Sequence, residues 1–278
     1  MARISIYNTA TYHSELTISR SPAENHNLRI RLGLCVQKVP GKPSTFKDFG
    51  GNSFKIREWK YLEWMNFWDT IFDQCEMWNN QFWLIPPRDY SKLDVKVGDM
   101  KFRPNVKCEL FVQLWSVPGN AHKNIKIAKL DESVSGDSTV FRSDAVTYDS
   151  LDGVAHTFQI PGPTGLKNNI VHYTIPHEIG HALGQPHIGV MRKTSACLAA
   201  MRGNAKDPHS NGGSNSNRCY GYGELPSISE NIMGFGTKFD EVNAQPWVDR
   251  IAEHTKTKAG DWRVKLSEMP PFIAPSTK

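Results

Sequence analysis

The chain has 278 residues, within reach of one domain. Apolar residues make up 39% and charged residues 22%, which excludes a disordered chain, and eight Trp with thirteen Phe supply ample bulk for a core. The net charge of +5 is dispersed, with no basic run of five, so no nucleic-acid footprint is expected; no segment offers the roughly 18–20 apolar residues of a membrane span.

The N-terminus, MARISIYNTATYHSELTISR, lacks the apolar centre of a secretory leader. Three expectations follow: a trimmed chain, export without a cleaved leader, or a cytoplasmic protein. Next, Leu28, Ile30, Leu32, Leu34 and Val36 alternate with Arg29, Arg31, Gly33, Cys35 and Gln37, a period of two that predicts a strand with one buried face. After the Gly/Pro-rich turn PGKPSTFKDFGGN, Tyr61, Trp64, Trp68, Ile71, Cys75, Trp78 and Phe82 recur at steps of three and four. This stripe predicts one long helix packed on the core and ended by Pro86 and Pro87.

Glu109 to Val117 and Asn124 to Leu130 read as strands about a Pro-Gly-Asn turn, and Gly153 to Ile160 as a third, stopped by Pro161-Gly162-Pro163. A second helix begins near Thr174. The Gly, Ser and Asn-rich run between Ala205 and Gly223 reads as a long surface loop, and Trp247, Ile251 and His254 restore a helical pattern. The order predicts an α/β (α+β) fold. It is expected as one domain over 1–278: residues 1–187 hold the sheet and the functional helix, and 188–278 form a C-terminal subdomain.

Five cysteines (Cys35, Cys75, Cys108, Cys197, Cys219) contain no C-x-x-C pair, which argues against a cysteine zinc site. Cys197 with Cys219 is a candidate bridge, and free buried thiols are the alternative.

The informative run is HEIGHALGQPH, His177 to His187. His177 and His181, four apart, fall on one helical face and offer a bite for a single metal ion. Glu178 is rotated by about 100°, so its carboxylate reaches a water on the metal without being a ligand. Gly184 can end the helix in the left-handed region, and Pro186 keeps it from resuming, so the chain can turn back and deliver His187 as third ligand. Three imidazoles that leave one open position suit a catalytic zinc, which lowers the pKa of its water to about 7. Chance would supply the five fixed positions in about one such chain in twenty thousand. A distant glutamate ligand is disfavoured, because no Glu occurs between Glu178 and Glu224.

This run resembles the extended zinc motif of the metzincin metallopeptidases, the clan of astacins, matrixins, reprolysins and serralysins. NIMGFG, Asn231 to Gly236, resembles the clan's Met-turn, which implies that Met233 lies beneath the three imidazoles. GVAHTFQIPGP resembles the edge strand that pairs with substrate in matrixins. The resemblance implies a twisted sheet with a long packing helix, an active-site helix and a C-terminal helix. Matrixins place a structural-zinc histidine where His156 stands, but the partners of that site are not recognisable, so His156 is read as a solvent-facing strand residue. His172, five residues before His177, is not expected to be a ligand. Phe235 stands where astacins and serralysins place a tyrosine, which leaves Tyr220 and Tyr222 as substitutes.

The expectation is therefore a monomeric zinc endopeptidase acting on protein or peptide substrates, with one Zn2+, Glu178 as base, and no nucleic-acid or membrane partner. Two alternatives stand beside it: a zinc-stabilised module without catalysis, and a secreted toxin or effector that cuts cell-wall peptides.

Overall fold

The computed structural model describes residues 3–42, 44–119, 121–133, 141, 143–161, 167–188, 230–268 and 272–273. Strands β1 (Arg3–Asn8), β2 (His13–Ile18) and β3 (His26–Lys38) come first, then the short β4 (Thr45–Lys47) and β5 (Ser53–Lys55). Helix α1 (Tyr61–Cys75) precedes β6 (Trp83–Ile85), β7 (Val95–Val97), β8 (Met100–Arg103), β9 (Val106–Trp115) and β10 (Lys123–Ala128). Next come β11 (Thr147–Asp149), β12 (His156–Pro161), β13 (Lys167–His172) and helix α2 (Thr174–Ala182). Helix α3 (Gln245–Thr255), β14 (Arg263–Lys265) and β15 (Phe272–Ile273) close the order. The class is mixed α+β, as expected, and among the described residues no helix is long and apolar enough to cross a membrane.

Contacts divide the chain into two compact units, one of Met1–Cys35, Cys75–Asn124 and Phe239–Lys278, the other of Val36–Gln74 and Ile125–Lys238.

In the first unit a mixed sheet runs β1-β2-β3-β9-β6-β14. β3 and β9 are parallel from His26↔Val106 to Cys35↔Trp115, and the other pairs are antiparallel. The alternation in β3 holds to Arg31; beyond it Gly33 and Cys35 are buried as well as Leu32 and Leu34. One buried face was the expectation, and the smallness of Gly33 and Cys35 is what lets the other face be covered too. Trp247 and Ile251 of α3 are fully buried, and the Trp247 ring lies 5.5 Å from Phe82 and 6.1 Å from Trp78. Side chains of this size stabilise by about 1.5–3 kcal/mol each when buried. The indole N–H of Trp247 is not orphaned, because it donates to the Glu109 carbonyl at 3.0 Å.

The helix expected to reach Phe82 stops earlier. α1 ends at Cys75, a single 3-10 turn covers Glu76–Trp78, and Asn79 is extended at φ −82°, ψ 149°. Asn79 turns its amide on Leu110, donating to the carbonyl at 3.0 Å and accepting the N–H at 2.7 Å, and Asn80 takes φ +58°. Asparagine competes with the helix by this kind of local bonding and tolerates the left-handed region, so the break precedes the prolines. Phe82 keeps the apolar spacing from the strand side, leading into β6.

The second unit carries the histidine motif. β10 and β11 pair in parallel, β4 and β5 form a hairpin, and Val39, Phe54, Ile56, Ala128, Leu130 and Phe141 make a core cluster. Helix α1 buries Trp64, Phe67 and Ile71, with the Trp59 ring 5.3 Å from both Trp64 and Phe67. Its start is fixed by Glu63, whose carboxylate accepts the Lys60 N–H at 3.1 Å and pairs with Arg57 at 2.6 Å. Near its end the Gln74 side chain donates to the Gly153 carbonyl at 2.8 Å. That bond ties α1 to the segment entering β12, which forms an antiparallel hairpin with β13, and β13 runs into α2.

Candidate metal centre

Helix α2 occupies the predicted place, from Thr174, and buries Ile175, Ile179 and Ala182 on its core side. Its C-terminus shows how Gly184 works. Gly184 sits at φ +89°, its N–H donates to His181 O at 2.9 Å, and the Gln185 N–H reaches Gly180 O at 2.9 Å. These two bonds form a Schellman ending, which satisfies carbonyls that the last turn leaves open. The chain then reverses through Pro186 and brings His187 back.

The three predicted ligands meet. His177, His181 and His187 each offer one ring nitrogen, and these atoms lie within 4.8 Å of one another; among the described residues it is the one such group of His, Cys, Asp and Glu. The Nε2 of His187 is 3.0 Å from Nε2 of His177 and 2.9 Å from Nε2 of His181. Zinc–nitrogen bonds of 2.0–2.1 Å in a tetrahedron would space the nitrogens by about 3.3 Å, close to what is present.

Tautomers strengthen the point. Nδ1 of His177 lies 2.7 Å from the Ile232 carbonyl and Nδ1 of His181 lies 2.8 Å from the Gln185 carbonyl. A carbonyl only accepts, so both Nδ1 atoms carry the proton and both Nε2 atoms present lone pairs. His187 has at most one Nε2 proton to share between them. At least one contact therefore sets lone pair against lone pair, which a cation at the centre relieves. Burial holds His177 well below the ordinary imidazole pKa, with His172, His181 and His187 adding to the effect, and burial lowers His181 as well, so neutral ligands are favoured.

Glu178 is 7% exposed, and its Oε2 makes no hydrogen bond among the described residues. Burial pushes its pKa well above the usual carboxylate range, and the charges of Asp152 and Asp144 push the same way. A buried carboxylate oxygen without a donor is costly, and it marks a place where a further group belongs. The donor set and this oxygen both fit a divalent ion with a water beside Glu178.

No family model matches this chain, and neither the curated proteins nor the solved structures give a match. The site therefore rests on its own geometry.

Met233 lies in the turn Asn231–Gly236 and is fully buried. The Asn231 carbonyl accepts N–H groups of Gly234 at 2.9 Å and Gly236 at 3.0 Å, and its side chain accepts the Met233 N–H at 2.8 Å. A Cβ at Gly236 would stand 1.9 Å from the Glu230 carbonyl oxygen, so this position admits only glycine. The turn grips the site twice. Ile232 O takes the His177 Nδ1–H at 2.7 Å, and Met233 O takes the N–H of Ile188, next to the third ligand, at 3.2 Å.

The remaining candidates are also placed. His172 ends β13, with its ring 5.2 Å from His177 and 6.0 Å from Phe235, and stands outside the ligand group. Burial first, then the charge of His156, lowers its pKa to about 4. His156 is partly buried rather than facing solvent freely; it pairs in register with His172, and its Nε2 is 3.2 Å from the Leu151 carbonyl. The thiols of Cys35, Cys75 and Cys108 are free and buried. Cys197, Cys219, Tyr220, Tyr222 and the loop between Ala205 and Gly223 lie outside the described residues.

Sequence reasoning missed the acidic residues before β12. Asp149 and Asp152 are both buried, and Asp152 Oδ2 accepts the Asp149 N–H at 2.7 Å and the Ser143 hydroxyl at 2.5 Å. Burial raises Asp152 to about 6, opposed by hydrogen bonds from Ser143, Asp149 and Thr174, the first residue of α2. No spacing in the sequence marks these residues, since they come from a turn remote from the motif.

Proposed function

We propose that this chain is a zinc-dependent endopeptidase, an outlying member of the metzincin clan. The observation that carries the reading is a buried, unpartnered Glu178 oxygen on the same helix turn as three converging imidazole nitrogens. A site that only stabilises a fold has no use for such a carboxylate.

His177, His181 and His187 would hold the ion, the first two rings oriented by the backbone carbonyls of Ile232 and Gln185. What zinc supplies when bound is Lewis acidity toward a water and toward the scissile carbonyl. Glu178 accepts the proton of the attacking water and returns it to the leaving amine, so the carboxylate ends the cycle as it began. Burial excludes competing solvent from that proton. The edge of β12 away from β13 has no strand partner among the described residues, which fits backbone pairing with an extended peptide.

Elemental analysis of the purified protein should find one zinc per chain, removable by a chelator. A Glu178→Ala variant should keep that zinc and lose about 10²–10⁴-fold of its activity on denatured casein. Full activity in the variant would remove Glu178 from this role. Tight zinc with no hydrolysis by the unaltered protein would leave a metal module without catalysis.

A further inference from the structure

Strand β1 and helix α3, both in the first unit, bring a second set of reactive groups together. Ser5 of β1 is exposed, and its Oγ lies 2.7 Å from Nδ1 of His254, near the end of α3. Across the imidazole, Nε2 is 3.0 Å from the hydroxyl of Ser14, a fully buried residue of β2. The Ser14 Oγ lies in turn 3.4 Å from the Tyr7 carbonyl. The contacts form one chain, from solvent at Ser5 to the interior at Ser14.

Proton placement follows from the inner end of that chain. The Tyr7 carbonyl only accepts, so the single Ser14 proton goes to it, and Ser14 Oγ accepts the Nε2–H of His254. Nδ1 is left with its lone pair, and the Ser5 hydroxyl donates to it. With a neutral imidazole, no other assignment serves all three contacts. Burial holds His254 below the ordinary imidazole pKa, and the charges of Arg250 and Lys256 act with it against that of Glu253, which favours the neutral ring.

The surroundings suit negative charge building up on an acyl oxygen. The Tyr7 ring, two residues along β1 from Ser5, meets the His254 ring edge-on at 6.2 Å between centroids. Over the same Tyr7 ring stand Lys256 Nζ at 5.8 Å and Arg250 Cζ at 5.5 Å. Arg250 is tied to Glu253 and Thr9, whereas Lys256 is exposed. Lys256 takes φ +57° at the end of α3, a left-handed position where glycine is the usual residue, and a lysine there keeps a cation beside Tyr7. A hydroxyl within reach of a base, with the base held by a third group, is the arrangement that makes serine a nucleophile.

We propose that Ser5 is an activated nucleophile with His254 as its base, a second reactive site that takes acyl groups from esters. Ser5 Oγ bonds to the acyl carbon as the ester C–O bond breaks, and the Ser5 proton passes to His254 Nδ1 and then to the departing alkoxide. Water attacking the acyl-serine, with the same base, releases the acid and restores Ser5. No residue of the metal centre takes part, so the site is independent of the peptidase reading.

The test treats the full, zinc-loaded chain at neutral pH with a fluorophosphonate, which bonds to a reactive serine oxygen as fluoride leaves. Peptide mass spectrometry reads the rate of adduct formation serine by serine. Ser5 should react about 10²-fold faster than the other exposed serines, and His254→Gln should lower the Ser5 rate by about the same factor. p-Nitrophenyl acetate should leave an acetyl group on Ser5, with a stoichiometric burst of p-nitrophenol that Ser5→Ala abolishes. Adducts spread over the serines by exposure alone overturn the proposal, and that comparison is made within the unaltered protein, so it holds even if His254→Gln unfolds. A Ser5 rate that a folded His254→Gln leaves unchanged, or no acetyl-Ser5, overturns it as well.

Discussion

Gly184→Ala isolates the cost of delivering His187, the third candidate ligand. Gly184 holds φ +89°, and a Cβ built there meets nothing within 4 Å. The substitution therefore carries no steric clash, only the intrinsic penalty of an L-residue in the left-handed region, about 1–2 kcal/mol. The Schellman bonds from Gly184 N–H and Gln185 N–H depend on that conformation, and the reversal toward His187 follows directly from them. If the alanine keeps the strained turn with and without metal, the whole penalty appears as lost folding stability. If the metal-free chain relaxes by unwinding around residue 184, zinc binding must rebuild the turn, and the same 1–2 kcal/mol appears as about 5- to 30-fold weaker zinc. Either way the zinc-loaded protein should lose about 1–2 kcal/mol of stability against denaturant. Urea unfolding of the zinc-loaded and metal-free forms, with zinc affinity from competition against a chromophoric chelator, separates the two cases. Asn at this position should cost less than Ala, because its side chain tolerates the left-handed region. Unfolding free energies and zinc affinity both unchanged in Gly184→Ala would mean that the left-handed turn does not deliver His187.

Two further outcomes follow from buried polar groups. His26 is fully buried, with Nδ1 accepting the Ser19 N–H at 3.1 Å and Nε2 meeting the Leu93 carbonyl at 2.8 Å, so burial holds its pKa below 6.5 despite that carbonyl and Asp94. The neutral ring's contribution is intact above pH 6.5 and is lost as pH falls from there through the folded-state pKa, by at most about 1.4 kcal/mol per pH unit. Urea unfolding of His26→Gln between pH 7.5 and pH 5 should show a shallower acid loss than the unaltered protein. Asn231→Ala strands the buried Met233 N–H and should cost about 1–3 kcal/mol of stability by the same unfolding assay, with weaker zinc because Ile232 O orients His177.

Much of the site was legible in the chain itself because its candidate ligands are local. His177, Glu178 and His181 share a helix whose period fixes their spacing, and Gly184 and Pro186 state in residue types where that helix must stop. The strand at Leu28 to Val36 and helix α3 were readable for the same reason, a period carried by neighbouring residues. The end of α1 was not readable, because the apolar spacing continued past Cys75 and only the bonds between Asn79 and Leu110, far apart in sequence, decide the break.

What the amino-acid order determined, then, was chemistry within reach of one helix and one turn: which nitrogens, which carboxylate, which glycine. Tertiary structure alone decided which backbone carbonyls fix the imidazole tautomers, that the turn at Met233 holds His177 and the residue after His187, and that the charge of Asp152 reaches Glu178. Carbonyls carry no residue signature, and charge acts through space rather than along the chain, so neither leaves a pattern that a sequence displays.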